Sequence, residues 1–273
     1  MGQLVHTLPE GEPVTGVTLL AGEIYLLKRK ERDQVEVYDV ITYRMRRCLT
    51  VPNAQQLVDI TSCEHYRCAY IGDSDGECVH RLDVDPQGAV TRWAVHDVPN
   101  GLSVNTTHNL LVTFRTVRAI KEFSSRGDLL RELTLPDDVV NPCHAIQTRG
   151  GQFVVCHGDR DDQVHRVCTI SPDGRHTLRS HGGQRGSDIG QYEVPIYLAV
   201  DDDERVFVAD VINGRVTLLS PTLEYIRQVV SCDQLKWRPR RLFLDTERRQ
   251  LYVADNERKD YRWTTGRVVL FNV

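Results

Sequence analysis

The sequence predicts an all-β fold: one six-bladed β-propeller of four-stranded antiparallel blades, closed by the N-terminal strand pairing with the C-terminal blade. Three observations carry this expectation. Short apolar runs bounded by Asp, Asn and Gly recur along the chain, as in Val194–Ser220, VPIYLAVDDDERVFVADVINGRVTLLS, and such runs are the pattern of strands and hairpin turns. The unit repeats: Tyr25, Tyr70, Leu111, Val154, Phe207 and Tyr252 hold the same place in successive units, at steps of 41 to 53 residues. Propeller blades repeat at about 40–50 residues. Finally, the sixth unit has no fourth strand of its own, and Gln3–Leu8 (QLVHTL) is a spare strand ahead of the first unit. Pairing the two closes the ring and hides the edges an open sheet would expose.

The blades are expected over 14–52, 55–97, 99–135, 141–181, 194–231 and 238–273 plus 1–9, as a single domain. Gly16–Leu20 and Ile196–Val200 are first strands. Middle strands hold IYLL, AYIGD, LLVTF, FVVCH, VFVAD and LYVAD. Third strands follow at 35–40, 79–84, 119–124, 164–171, 215–220 and 267–273. Asp85-Pro86-Gln87-Gly88, Ser124–Asp128 and Ser171-Pro172-Asp173-Gly174 have hairpin-turn chemistry and lead into fourth strands such as VTRWAV and LLRELTL. The glycine-rich run Gly182–Gln191 lacks the Gly-Lys-Ser/Thr ending of a phosphate loop, and no helix follows it. It reads as a link between blades.

Across essentially the whole chain these units resemble NHL repeats, as in the NHL domain of TRIM-NHL proteins. The carriers are the Pro before the first strand, the charged turn, the Y-V-A-D-like middle strand and the N-x-R turn, with Asn213 and Arg215 in the fifth unit and RPRRLFLDTERRQLYVAD in the sixth. The Asp of that motif is present as Asp73, Asp210 and Asp255. Lys28, Phe114 and His157 replace it elsewhere. The resemblance implies a six-bladed propeller and an interaction surface on one loop face.

Composition narrows the function classes. Hydrophobic residues make up 40% and charged residues 26%, as in an ordinary globular protein. The net charge of −4 argues against a strongly basic nucleic-acid binder. No run approaches the roughly 20 apolar residues of a membrane span. MGQLVHTLPE is not a signal peptide, and His6 stands where myristoylation needs Ser or Thr, so a cytoplasmic protein with no membrane partner is expected. The eight cysteines, several inside apolar runs (Cys68, Cys156, Cys168), read as reduced buried thiols. Cys63-x4-Cys68 and Cys143-His144 have no second pair at zinc spacing.

One face of a propeller gathers the loops between second and third strands together with the blade links. There the sequence places Lys28, Arg29 and Lys30, then Arg115 and Arg118, then Lys236, Trp237 and Arg238 with Arg240 and Arg241 after them, and Tyr261, Arg262 and Trp263. Cations beside aromatics on the adjacent blades six and one suit a protein or peptide partner, or single-stranded RNA, since such rings anchor side chains or stack on bases. Aspartates at 73, 75, 97, 137, 138, 159, 161 and 162, with Glu77, make the rest of that face acidic. No cofactor is expected. The competing class is a calcium-dependent hydrolase: Pro99-Asn100-Gly101-Leu102 resembles the P-N-G-L of gluconolactonase-type propellers, with Glu12 and Asn141 at two other strand starts as further oxygen ligands. The ten histidines are dispersed rather than clustered as the amidating lyase would need, and His144 and His157 read as structural.

Overall fold

In a computed structural model that describes residues 1–29, 34–84, 88–260 and 262–273, the chain forms six four-stranded antiparallel sheets. Strand β1 (Gln3–Thr7) is followed by blade one: β2 (Val14–Leu20), β3 (Glu23–Lys28), β4 (Gln34–Asp39) and β5 (Met45–Thr50). Blade two is β6 (Leu57–Cys63), β7 (Cys68–Asp73), β8 (Cys78–Asp83) and β9 (Val90–Ala94). Blade three is β10 (Pro99–Val104), β11 (Leu110–Phe114), β12 (Ala119–Phe123) and β13 (Leu129–Thr134). Blade four is β14 (Pro142–Gln147), β15 (Phe153–His157), β16 (Val164–Ile170) and β17 (Thr177–Gln184). Blade five is β18 (Pro195–Val200), β19 (Val206–Asp210), β20 (Arg215–Leu219) and β21 (Tyr225–Val230). Blade six is β22 (Arg238–Asp245), β23 (Gln250–Lys259) and β24 (Arg262–Asn272), completed by β1.

The first strands touch one another in sequence around the ring, β2 to β6, β10, β14, β18, β22 and back to β2, so they line the axis. Middle strands such as LLVTF and VFVAD are buried along their whole length, because each is packed between neighbouring blades on both faces. The outermost strand MRRCLT is mostly exposed. Six apolar clusters lie between successive blades; the one joining blades three and four, for example, packs Leu111 and Ile120 against Phe153 and Val155.

Closure runs as the sequence predicts. β1 pairs antiparallel with β24, Gln3 opposite Asn272 and Thr7 opposite Val269. A second clasp was not legible: buried Asn256 accepts from the Val14 amide at 3.0 Å and donates to the Val14 carbonyl at 2.7 Å, tying blade six to blade one.

Two expectations are corrected. Arg258, Lys259, Arg262 and Trp263 are not loop residues: β23 and β24 are longer than the strands of the other blades and pair Arg258 with Trp263 and Lys259 with Arg262. Charged residues conceal a strand when both its faces lack a packed neighbour. Gly182–Gln184 is not link but strand, paired with Arg166, His165 and Val164. Gly182 is required there: its φ is 90°, and a Cβ would stand 2.6 Å from the His165 carbonyl oxygen. Six of the eight thiols are buried, Cys48 and Cys232 being exposed. Lys30 and Tyr261, both expected binding residues, and the turn residues Asp85–Gln87 lie outside the described residues.

Candidate functional site

Every first strand carries the same irregularity. The ladder skips one residue between Val14 and Gly16, Leu57 and Asp59, Pro99 and Gly101, Pro142 and His144, Pro195 and Tyr197, and Pro239 and Arg241. A bulge re-aims the residue that follows it. The six equivalent positions are therefore Gly16, Asp59, Gly101, His144, Tyr197 and Arg241, and their side chains meet on the axis.

Arg241 Nε donates to Asp59 Oδ1 at 3.1 Å, and its Nη2 donates to the Val58 carbonyl at 2.9 Å. Asp59 also accepts from the Tyr197 hydroxyl at 3.1 Å and from the Leu102 amide at 2.8 Å. The His144 ring stacks on Tyr197 with centroids 3.9 Å apart, and the Arg241 guanidinium lies 4.9 Å from the same ring. His144 Nε2 donates to the Leu102 carbonyl at 3.0 Å while its Nδ1 accepts from the Leu198 amide at 3.4 Å, which fixes the neutral tautomer. Four blades thus supply large polar side chains and two supply glycine. The glycines are not interchangeable with alanine: a Cβ on Gly16 would lie 2.6 Å from the Ile60 side chain, and one on Gly101 2.6 Å from the Cys143 carbonyl oxygen.

The electrostatics follow from burial. Burial pushes the Asp59 carboxyl up, against the pull of Arg241, the Leu102 amide and Tyr197. Burial lowers His144 to about 3, assisted by the Arg241 charge. Each group is paired within the protein, so the arrangement is a plug. Beyond it, a cavity of about 180 Å³ opens among Thr18, Thr61, Ser103, Ile146, Ala199 and Phe243.

The loop face above the plug holds the residues singled out in the sequence. Trp237 lies between Lys236, 4.6 Å from its ring, and Arg267, 5.7 Å from it. Its backbone amide and that of Lys236 both donate to Asp255 at 2.9 Å, so the link is held rigid under the ring. Lys236 also pairs with Glu10 at 2.9 Å, and Arg238 donates to the Ile212 carbonyl at 3.0 Å. Trp263, on the arm, lies between Arg240 at 5.0 Å and Arg258 at 5.5 Å. Arg262 beside it is exposed.

Others do not join this group. Lys28 is only 4% exposed and pairs with Glu36 at 3.2 Å, because β3 continues through it. Arg29 is exposed and bonds Gln56. Arg115 and Arg118, on blade three, are engaged by Asp159 and Asp137. Asp73, grouped above with the surface acids, is buried. What sequence reading missed is the role of Asp59, Tyr197 and Arg241; the available signal was a polar residue two places after Leu57, Pro142, Pro195 and Pro239 in four of the six first strands.

The oxygen set for calcium is not presented as ligands would be. Asn141 accepts from Arg115 and donates to Asp162, and the Asn100 amide donates to the Cys143 carbonyl. Glu12 is exposed beside Lys28 and Arg44 in a groove between blades six and one. The tightest metal-type cluster among the described residues is Asp73, Cys78 and His80, with ligand atoms within 4.8 Å. Asp73 there accepts from the Gln55, Gln56 and Gly76 amides, and Arg92 Nε lies 2.9 Å from the Cys78 sulfur. Carboxylate lone pairs already spent on amides, next to a guanidinium, make a poor cation site.

No protein-family model matches the chain, and no curated protein matches it in sequence. Solved structures do match in shape. A streptogramin B lyase aligns over 100% of this chain and 96% of its own, with 11% identity and a TM-score of 0.66. A virginiamycin B lyase from Staphylococcus aureus aligns over 97% and 98%, with 10% identity and a TM-score of 0.64. The Kuenenia stuttgartiensis hydrazine synthase aligns over 96% and 97%, with 12% identity and a TM-score of 0.66. At such identities the likeness is one of fold, and the chain is a six-bladed β-propeller.

Proposed function

We propose that the chain is an NHL-type interaction module of the cytoplasm that grips an acidic segment of a partner protein on the loop face of blade six. The observation carrying this reading is the pair of half-buried tryptophans, Trp237 and Trp263, each held between two cations on one face. Pre-positioned Trp and Arg are the residues that dominate binding hot spots, because ordering them costs little further entropy. An acidic peptide is favoured over RNA by the remainder of the face. Asp75, Glu77, Asp137, Asp138 and Asp161 are exposed on blades two to four, so a phosphate chain crossing the ring would meet repulsion, whereas a short acidic segment fits the compact basic sector. On the axis, His144, Asp59 and Tyr197 are bonded to protein partners.

Fluorescence anisotropy of a labelled Glu-rich peptide and a single-stranded RNA of matched length, titrated at several salt concentrations, tests the reading. The peptide should bind, and Trp237→Ala with Trp263→Ala should weaken it roughly tenfold or more. Tighter RNA binding with a steep salt slope, or no peptide binding at low salt, would overturn it.

A further inference from the structure

Arg240 is the bulge residue of β22 and stands immediately above the plug. Its Nη1 is buried and has no hydrogen-bond partner, although a buried donor left unpaired costs roughly 1–3 kcal/mol, more when charged. The carboxylate nearest on the axis cannot serve it: Asp59 is already bonded by Arg241, Tyr197 and the Leu102 amide. Burial, and then the charges of Arg241, Arg29 and Arg258, push the Arg240 pKa down, against the pull of Asp59. A guanidinium remains protonated in a protein, so the Arg240 donor stays charged and its Nη1 stays unmet at the mouth of the axis.

The arm completes the enclosure. The Arg240 and Arg258 guanidinium groups both lie over the Trp263 ring, 5.0 and 5.5 Å from its centre. Arg258 also reaches the field of Asp159 in blade four: burial raises that carboxyl, but the Arg115 hydrogen bond and then the Arg258 charge bring it below its ordinary value.

We infer that the mouth of the central axis, beside Trp263, is a binding site for a single oxyanion, a carboxylate or a phosphoryl group, gripped by Arg240 Nη1 with Arg29 and Arg258 nearby. Oxyanions pair with guanidinium groups through short, charge-assisted hydrogen bonds, and a partly enclosed site strengthens them. The site is separate from the acidic-segment surface: it takes a small anion and needs neither Trp237 nor Lys236.

Thermal melts of the full chain at constant ionic strength, in chloride, phosphate or acetate, test it. Phosphate, acetate or both should raise Tm above the chloride value and saturate, by roughly 2–5 °C at ten times Kd. A response to phosphate alone identifies a phosphoryl site, and a response to acetate alone a carboxylate site. Arg240→Gln should abolish the response, and Arg248→Ala, on the opposite face, should keep it. Should Arg240→Gln fail to fold, Arg258→Gln is expected to weaken the response roughly tenfold in Kd, and phosphate should change Trp fluorescence in the wild type but not in Trp263→Phe. No rise above chloride, or a wild-type response in the Arg240 and Arg258 variants, overturns the site. Trp237→Ala should lose peptide binding and keep the anion response, so the two readings fail separately.

Discussion

Blades two, five and six carry an aspartate, Asp73, Asp210 and Asp255, at one position of their middle strands, whereas blades one, three and four have Lys28, Phe114 and His157 there. In the first set the carboxylate staples the incoming link to the blade. Asp255 accepts from the Lys236 and Trp237 amides and from Arg267 Nε, each at 2.9 Å. Asp210 accepts from the Glu193 amide at 2.8 Å, Asn213 Nδ2 at 2.7 Å and Arg215 Nε at 2.9 Å. Asp73 takes three amides and His80. In the second set the backbone link remains, as in Arg29 N to Pro13 O at 3.0 Å and Gly158 N to Val140 O at 3.1 Å, but the side chain does something local. Lys28 pairs with Glu36, Phe114 underlies Lys121 with 4.8 Å from cation to ring, and His157 accepts from Arg166 Nε at 2.8 Å. Backbone pairing builds a blade; the aspartate is added where link amides point inward and need an acceptor.

The largest effect should come from removing residues 1–8. Blade six then has neither β1 nor the Gly2 amide's bond to the Val229 carbonyl, and the exposed edge of β24 opens the ring. Chemical denaturation should show a lower, less cooperative transition than any point variant gives; a wild-type curve would show that the Asn256 clasp closes the ring alone. Next is Asp255→Ala, which strands two amides and the Arg267 guanidinium inside the seam that carries Trp237. A loss of about 3–5 kcal/mol is expected, read from urea midpoints. A loss below about 1 kcal/mol would make the staple a passive feature and erase the distinction between the two sets of blades.

Blades four and five should titrate in opposite senses at this same position. Burial, and then Arg166, lowers His157 to about 4. Its folded pKa is depressed, so its contribution is present above about 6.5 and is lost as pH falls toward 4, by up to about 3 kcal/mol. Burial raises Asp210 to about 6. Its folded state holds an extra proton between about 4 and 6, so that contribution is lost as pH rises through this window. In urea melts across pH 4–7, His157→Gln should flatten the acid loss and Asp210→Asn should steepen it. Parallel changes in the two variants would show that neither residue titrates as its surroundings dictate.

The propeller was legible because its signal is repeated: a middle strand such as VFVAD is recognisable even where its last residue has drifted, and the leftover strand at Gln3 had one place to go. The arm was not, since Arg258–Trp263 carries charge on every side and strand periodicity is visible only where one face is buried. Lys28 was taken for a surface cation because it begins a basic run, yet it lies in register opposite Val14, inside the strand. The axial plug escaped for a different reason. Asp59, His144, Tyr197 and Arg241 come from four separate strands, and only the shared bulge brings them together. Trp237 and Trp263 stand out by residue type, whereas the two cations over each ring are visible only with the link and the arm in place.

Blade one offers the smallest and sharpest test of what replaced the staple. Lys28 and Glu36 are both buried, and Glu36 also accepts from the Tyr38 hydroxyl at 2.8 Å. Lys28→Met should cost about 1–3 kcal/mol, because it removes the ammonium that the buried Glu36 carboxylate pairs with. Lys28→Met with Glu36→Leu should recover most of that loss, since replacing both partners of a buried pair by apolar groups is often neutral or better. Recovery would mean that the pair merely neutralises itself and that blade one holds its link through the backbone alone. If the double variant is instead as damaged as the single one, Lys28 does for blade one what Asp255 does for blade six, and the two sets of blades differ in residue type but not in principle.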